Sequence, residues 1–266
     1  MLGILKDLFA RPKVATQPSA PAGERIYAIG DIHGRLDLFE RLISQIERDE
    51  QARGKARTTL ILLGDLIDRG PDSAGVIDLA RKLSETRMVE ILQGNHEEML
   101  LSSRSDVNAL RSFLRFGGLE TIASYGVPPE DIAALSSEEV QALMNRTIPV
   151  ADFDFIREFK KLVRIGDYVF VHAGLRPETP IDMQLGRDCR WIREPFLSHD
   201  GDFGAFVVHG HTITTEPDRR PNRIGIDTGA YVHGTLTAIG LQGTEQWFVQ
   251  AHEDSSTQPG ALEEIA

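Results

Sequence analysis

Five short runs place groups capable of chemistry directly after apolar stretches. They are Gly30-Asp31-Ile32-His33-Gly34, Gly64-Asp65-Leu66-Ile67-Asp68-Arg69-Gly70, Gly94-Asn95-His96-Glu97, Val171-His172-Ala173-Gly174 and Val208-His209-Gly210-His211-Thr212. Carboxylate oxygens, imidazole nitrogens and an amide oxygen suit divalent Mn, Fe or Zn and are poor ligands for copper thiolate chemistry. Two divalent cations about 3.5–4 Å apart need a shared ligand. Asp65, with two carboxylate oxygens, is the natural bridge. A cation pair of this kind lowers the pKa of water and neutralises phosphoryl charge, so the chemistry expected is hydrolysis at phosphorus. Mn²⁺ is the expected ion, and a Fe–Zn pair would use the same donors.

The elements that must carry these groups alternate. Residues 25–31, 58–65 and 88–95 are apolar and strand-like, and helical spacing follows at 35–50 (Leu36, Phe39, Leu42, Ile43, Ile46), near 72–85 and from His96. Strand–helix–strand units of this length predict a parallel sheet with crossover helices. Continuous apolar runs predict strands covered on both faces. In such sheets ligands bind beyond the carboxyl ends of the strands, which is where all five runs lie. Residues 106–164 break the rhythm, and a helical insertion over about 98–165 is expected to shape a substrate groove. Strand-like runs return at 167–174, 205–212, 223–230, 236–241 and 245–251.

Outside a catalytic domain expected over 24–251, the two ends differ in composition. Leu2, Leu5, Leu8 and Phe9 share one helical face, and residues 11–23 form a Pro/Ala-rich linker. This arm (1–23) is expected either to lie loose or to dock on a partner or membrane surface. Residues 252–266 have the composition of a disordered tail. No stretch approaches the roughly 18–20 apolar residues that a membrane helix needs. With 29 Lys+Arg against 40 Asp+Glu, a net charge of −11, the surface opposes nucleic-acid binding. A metal site still permits a phosphate substrate, because it reverses the local sign. The one cysteine, Cys189, has no disulfide partner in the chain and is expected to pack in the core, which fits a reducing, cytoplasmic setting.

The set DIHG, GDxxDRG and GNHE, in this order and at these intervals, resembles the phosphoprotein phosphatase family of metallophosphoesterases, and its bacterial serine/threonine phosphatase-like members in particular. Any one of the three motifs alone would be weak. The resemblance implies an α/β metallophosphoesterase (calcineurin-like) β-sandwich flanked by helices, with the metals at one edge. It implies Asp31, His33 and Asp65 on one cation, and Asp65, Asn95, His172 and His211 on the other. It makes His96 the general acid, oriented by Asp68, and Arg69 a phosphate binder. Trp191-Ile192-Arg193 resembles the W-x-R segment that carries a second phosphate-binding arginine, which points to Arg193, with Arg190 as the alternative. Water activated between the cations attacks in line, so neither a Ser nor a Cys nucleophile is required.

Physical chemistry supports the acid assignment independently. A helix start disfavours an imidazolium at His96, and a carboxylate such as Asp68 restores it near neutral pH. Taken singly, a histidine on a strand is more often a packed residue than a ligand. His209 is expected to support the site or touch substrate, and His199, His233 and His252 to be structural. Asp227 either hydrogen-bonds a ligand histidine or forms a turn, and Glu97 and Glu98 act as helix caps. The substrate expected first is phosphoserine or phosphothreonine on a protein or peptide. The alternative is a symmetrical diadenosine tetraphosphatase. In that family the position of Asp68 is typically not acidic, and GNHD replaces GNHE. A non-catalytic phosphate-binding scaffold is the remaining reading, and such a protein should have lost ligands or the acid.

Overall fold

The computed structural model describes residues 17–254. The amphipathic face at residues 2–9 and most of the C-terminal tail lie outside the described residues. In chain order the strands are β1 (Glu24–Ile29), β2 (Arg57–Leu62), β3 (Met88–Ile91), β4 (Leu162–Ile165), β5 (Tyr168–Val171), β6 (Phe206–His209), β7 (Asp218–Arg219), β8 (Arg223–Gly225), β9 (Thr235–Gln242) and β10 (Glu245–His252). The helices are α1 (Leu36–Arg53), α2 (Ser73–Thr86), α3 (Asn95–Ser103), α4 (Val107–Phe113), α5 (Leu119–Ser124), α6 (Pro129–Ala133), α7 (Ser137–Thr147), α8 (Val150–Arg157), α9 (Gly186–Trp191) and α10 (Ala230–His233). A π-helical turn, Leu114–Gly118, joins α4 to α5.

Two five-stranded sheets, β10-β9-β1-β2-β3 and β4-β5-β6-β8-β7, pack face to face. Period-two alternation divides each strand between two layers. Ile26 and Ala28 of β1 meet Tyr168 and Phe170 of β5 between the sheets, whereas Tyr27 and Ile29 face the helices. Helix α1 buries Leu38, Phe39, Leu42, Ile43 and Ile46 there, the 3.6-residue stripe visible in its sequence. Val169 and Val171 face outward onto Cys189, Ile192 and Phe196. Burial pushes the Cys189 thiol up to about 11, as suits a packing residue.

Three expectations need correction. The sheets are mixed: β1, β2 and β3 are parallel, but β9 and β10 run antiparallel to their neighbours. The insertion ends before residue 162, because β4 is an edge strand of the second sheet. Part of the Pro/Ala-rich stretch is docked: the buried Ala20 donates its N–H to Gly243 O (2.8 Å), and Pro18 O accepts from the Tyr168 hydroxyl. At the other end β10 runs through His252. Among the described residues no helix is long and apolar enough to cross a membrane.

Candidate metal centre

The carboxyl ends of β1, β2, β3, β5 and β6 converge, and with them the groups singled out by type and spacing. Asp31, His33, Asp65, Asp68, Asn95, His96, His172 and His211 are all buried. Asp65 lies at the centre. Its Oδ2 is 3.6 Å from His33 Nε2 and 3.8 Å from His96 Nε2, and its Oδ1 is 3.5 Å from His172 Nε2. Donor atoms of His33, Asp65 and His96 form one compact group, and those of Asp65, His172 and His211 form another. Asn95 Oδ1 lies 3.0 Å from His172 Nε2. The Asp31 carboxylate accepts the His211 backbone N–H (3.0 Å), which ties the end of β1 to the end of β6.

The backbone is bent to achieve this. His33, Asp65, Asp68, Arg69 and His211 all have positive φ, a conformation uncommon without glycine. Glycine is needed where the segments touch: a Cβ on Gly94 would lie 2.1 Å from Asp65 Oδ1, and one on Gly210 2.0 Å from Asp31 Oδ1. Glu97 anchors the bend, its carboxylate accepting N–H groups of Asp65 (3.0 Å), Leu66 (2.7 Å) and Gly94 (2.8 Å). Sequence suggested only a cap here. The capping bond to Gly94 is present, but the bonds to the Asp65 turn are reached only in the fold.

Several imidazoles are oriented by backbone carbonyls. The His33 and His172 Nδ1 atoms lie 2.9 Å from the carbonyls of Ile67 and Leu63, which as acceptors leave each Nε2 with a lone pair aimed at Asp65. Burial first, then the neighbouring His96, lowers His33 to about 3. Burial and the facing His172 lower His211 to about 2. Both rings are therefore neutral, as metal ligands must be. His211 Nε2 is buried without a hydrogen-bond partner. An orphaned buried nitrogen among carboxylates and neutral imidazoles is what a cation site requires, so the donor set fits divalent metal ions. Burial raises the Asp65 pKa, but the surrounding imidazoles, His172 and His96 first, outweigh it and lower it overall.

His96 differs from the other rings. Its Nδ1 is 2.6 Å from Asp68 Oδ2. Burial lowers its pKa, yet the charges of Asp65 and Asp68 and the Asp68 hydrogen bond raise it overall. The charged form is thus favoured more than in a free imidazole, and Nε2 faces Asp65. Above this floor is a cavity of about 490 Å³, lined by Arg69 and Arg193 together with Phe116, Trp191 and Tyr231. The Arg69 guanidinium lies 4.5 Å over the Tyr231 ring. Arg190 does not line this cavity; its guanidinium pairs with Glu98, which also accepts from Trp191 Nε1. Neither Tyr231 nor Phe116 had a sequence signal beyond proximity to a motif.

His209 faces away from this cluster, its Nε2 3.2 Å from Arg223 and its ring against Phe196. His199 stacks near Phe203, and His252 Nδ1 lies 3.1 Å from Thr235 Oγ1. Asp227 forms the turn, accepting from Gly229 N (3.0 Å), and burial raises it to about 6.

The family model for calcineurin-like phosphoesterases matches residues 24–234. The chain belongs to that family. Among calcineurin-like phosphoesterases it is 30% identical over 275 residues to the symmetrical bis(5'-nucleosyl)-tetraphosphatase of Nitrosococcus oceani, covering 84% of this chain and 95% of that one. It is 28% identical over 222 residues to serine/threonine-protein phosphatase 1 of Salmonella typhimurium, covering 82% and 92%. A crystal structure provisionally assigned as a diadenosine tetraphosphatase superposes with a TM-score of 0.60 at 22% identity, over 92% of this chain and 97% of that one, and shares its fold. The calcineurin-like sandwich expected from the motifs is thus the observed fold, and the relatives include both enzyme types weighed from the sequence.

Proposed function

We propose that this phosphoesterase hydrolyses dinucleoside polyphosphates, with a tetraphosphate as the substrate to test first. The observation that carries this reading is the aromatic rim: Phe116, Trp191 and Tyr231 line the same cavity as Arg69 and Arg193. Planar bases stack on aromatic faces, and guanidinium forks take phosphate oxygens two at a time. The name of the Nitrosococcus oceani relative supports the same substrate class.

Asp31, His33 and Asp65 would hold one divalent cation, and Asp65, Asn95, His172 and His211 a second. Mn²⁺ is our choice, and Fe or Zn would use the same donors. Such a pair supplies acidified water and charge neutralisation at phosphorus. Arg69 and Arg193 bind and orient the phosphoryl oxygens. Asp68 holds His96 Nδ1, which leaves the proton on Nε2 for the oxygen that departs from phosphorus.

The second reading, hydrolysis of phosphoserine or phosphothreonine on a protein, is the one the sequence put first. One observation favours it: the His96–Asp68 pair is most useful to a poor leaving group such as an alkoxide. The two are separated by measuring kcat/KM on diadenosine tetraphosphate and on a phosphothreonine peptide with Mn²⁺. We expect the dinucleotide to be at least roughly tenfold better, about 1.4 kcal/mol in transition-state binding. The reverse ranking would put the phosphoprotein first. The products then report the cleavage position, two diphosphates for symmetrical attack and a triphosphate plus a monophosphate for asymmetrical.

A further inference from the structure

The helical insertion reaches the proton-donating pair. Thr121, on α5, is fully buried, and its hydroxyl donates to Asp68 Oδ1 at 2.5 Å. Thr121 Oγ1 also accepts the Asp68 backbone N–H at 2.9 Å, and Ser73 Oγ accepts that N–H at 3.0 Å. On its other oxygen Asp68 holds His96 Nδ1. Two further bonds straddle this point: Gly117 O accepts from Arg69 N (3.1 Å), and Ser124 Oγ accepts from Ala74 N (3.1 Å). The π-turn and α5 thus grip the loop 68–74 at three places. Gly117, with φ of 105°, is required at the first, because a Cβ there would lie 2.7 Å from Arg69 Cγ and N.

A carboxylate held at one oxygen turns freely, because a torsion onto an sp² carbon has a broad minimum. Held at both oxygens, it has a fixed plane. We propose that Thr121 is a positioning residue for proton delivery: its hydroxyl fixes the Asp68 carboxylate so that the other oxygen aims His96 Nε2 at the leaving oxygen. The insertion is then part of the catalytic apparatus as well as a wall of the groove. The step it serves is balanced: the P–O bond to the leaving group breaks as the bond from attacking water forms, and the proton on His96 Nε2 passes to the departing oxygen. The proposal rests on the reading of His96 as the acid.

The test compares two aryl esters whose leaving groups need the proton differently, 4-nitrophenyl phosphate (little) and phenyl phosphate (much). Thr121→Val keeps the shape and removes the hydroxyl. We expect kcat on phenyl phosphate to fall roughly tenfold to 100-fold, and on 4-nitrophenyl phosphate less than about threefold, with both KM values unchanged. Thr121→Ser should restore both rates to within about threefold. If Thr121→Val does not fold, Thr121→Cys, similar in size with a weak donor, should show the same pattern at smaller size. Equal losses on the two esters, a change in KM alone, or no loss would overturn the role of Thr121. His96→Asn run beside it separates the two claims. If that variant loses rate equally on both esters, the acid assignment and this proposal fall together. If its loss follows the leaving group while that of Thr121→Val does not, Thr121 alone is rejected.

Discussion

The two ends of the sandwich use the same unusual backbone conformation for opposite purposes. At the end away from the metal centre, the turns that enter β1, β2 and β5 and join β9 to β10 have positive φ at Gly23, Gly54, Gly166 and Gly243. At the metal end Gly34, Gly64 and Gly117 share it, but so do His33, Asp65, Asp68, Arg69 and His211, five of the six non-glycine residues with positive φ among the described residues. Left-handed backbone costs roughly 1–2 kcal/mol per non-glycine residue. One end avoids that cost. The other accepts it, because a glycine there would carry no carboxylate, imidazole or guanidinium. Strain concentrated on chemistry-bearing side chains marks where placement outweighs stability. Arg25 shows the contrast from the quiet end: it too is buried, but its guanidinium is satisfied by Gln242, Glu50 O and Gly54 O.

The strongest challenge to this contrast is Asp65→Asn. Turnover should fall by roughly a thousandfold or more, and metal analysis should show cations lost, since the proposed bridge would be gone. Chelation followed by Mn²⁺ should erase and then restore activity in the parent protein. His96→Asn should cost roughly 100-fold or more in kcat while metal content stays, because its assigned duty is the proton. Arg69→Gly tests strain against function at one position. KM should rise roughly tenfold to 100-fold on losing a charge-assisted contact to phosphate. The unfolding midpoint should not fall, because relief of about 1–2 kcal/mol of left-handed strain offsets the lost stacking on Tyr231.

Gly54→Ala is the mirror experiment. Gly54 has φ 78° and ψ −169°, a region open essentially to glycine, so denaturant unfolding should show a loss of about 1–3 kcal/mol with kcat and KM unchanged. The smallest effect is a shift in pH profile. His96 must be protonated to act, so activity is lost as pH rises through its pKa. Asp65 and Asp68 hold that pKa up against burial. Asp68→Asn removes part of this support and should move the alkaline limb of kcat to lower pH.

The centre was legible in the sequence to the extent that each group follows its own strand. Asp31, Asp65, Asn95, His172 and His211 close apolar runs, and parallel strands bring such ends together. Continuous apolar runs likewise let β1 and β2 be read as covered on both faces. What escaped depends on contacts between distant segments. Thr121 is an ordinary helix residue until α5 meets the loop after β2. Glu97 looks like a cap until its carboxylate is found on the Asp65 turn. Tyr231 carries no signal until it lies over Arg69. The β9–β10 hairpin was missed as antiparallel because apolar runs do not encode direction. Residues 18–20 dock through a backbone N–H, a carbonyl and a small buried side chain, contacts that a Pro/Ala-rich composition does not reveal.

The proposed ligand set is divided unevenly between the sheets. Asp31, His33 and Asp65 all follow strands of the first sheet, whereas Asp65 and Asn95 of the first would share a cation with His172 and His211 of the second. That second position would act as a clasp: a cation held there would join the two layers, and neither layer alone could retain it. Resistance of the chain to proteolysis should therefore rise with occupancy, since a ligand bound only by the folded form stabilises it by mass action.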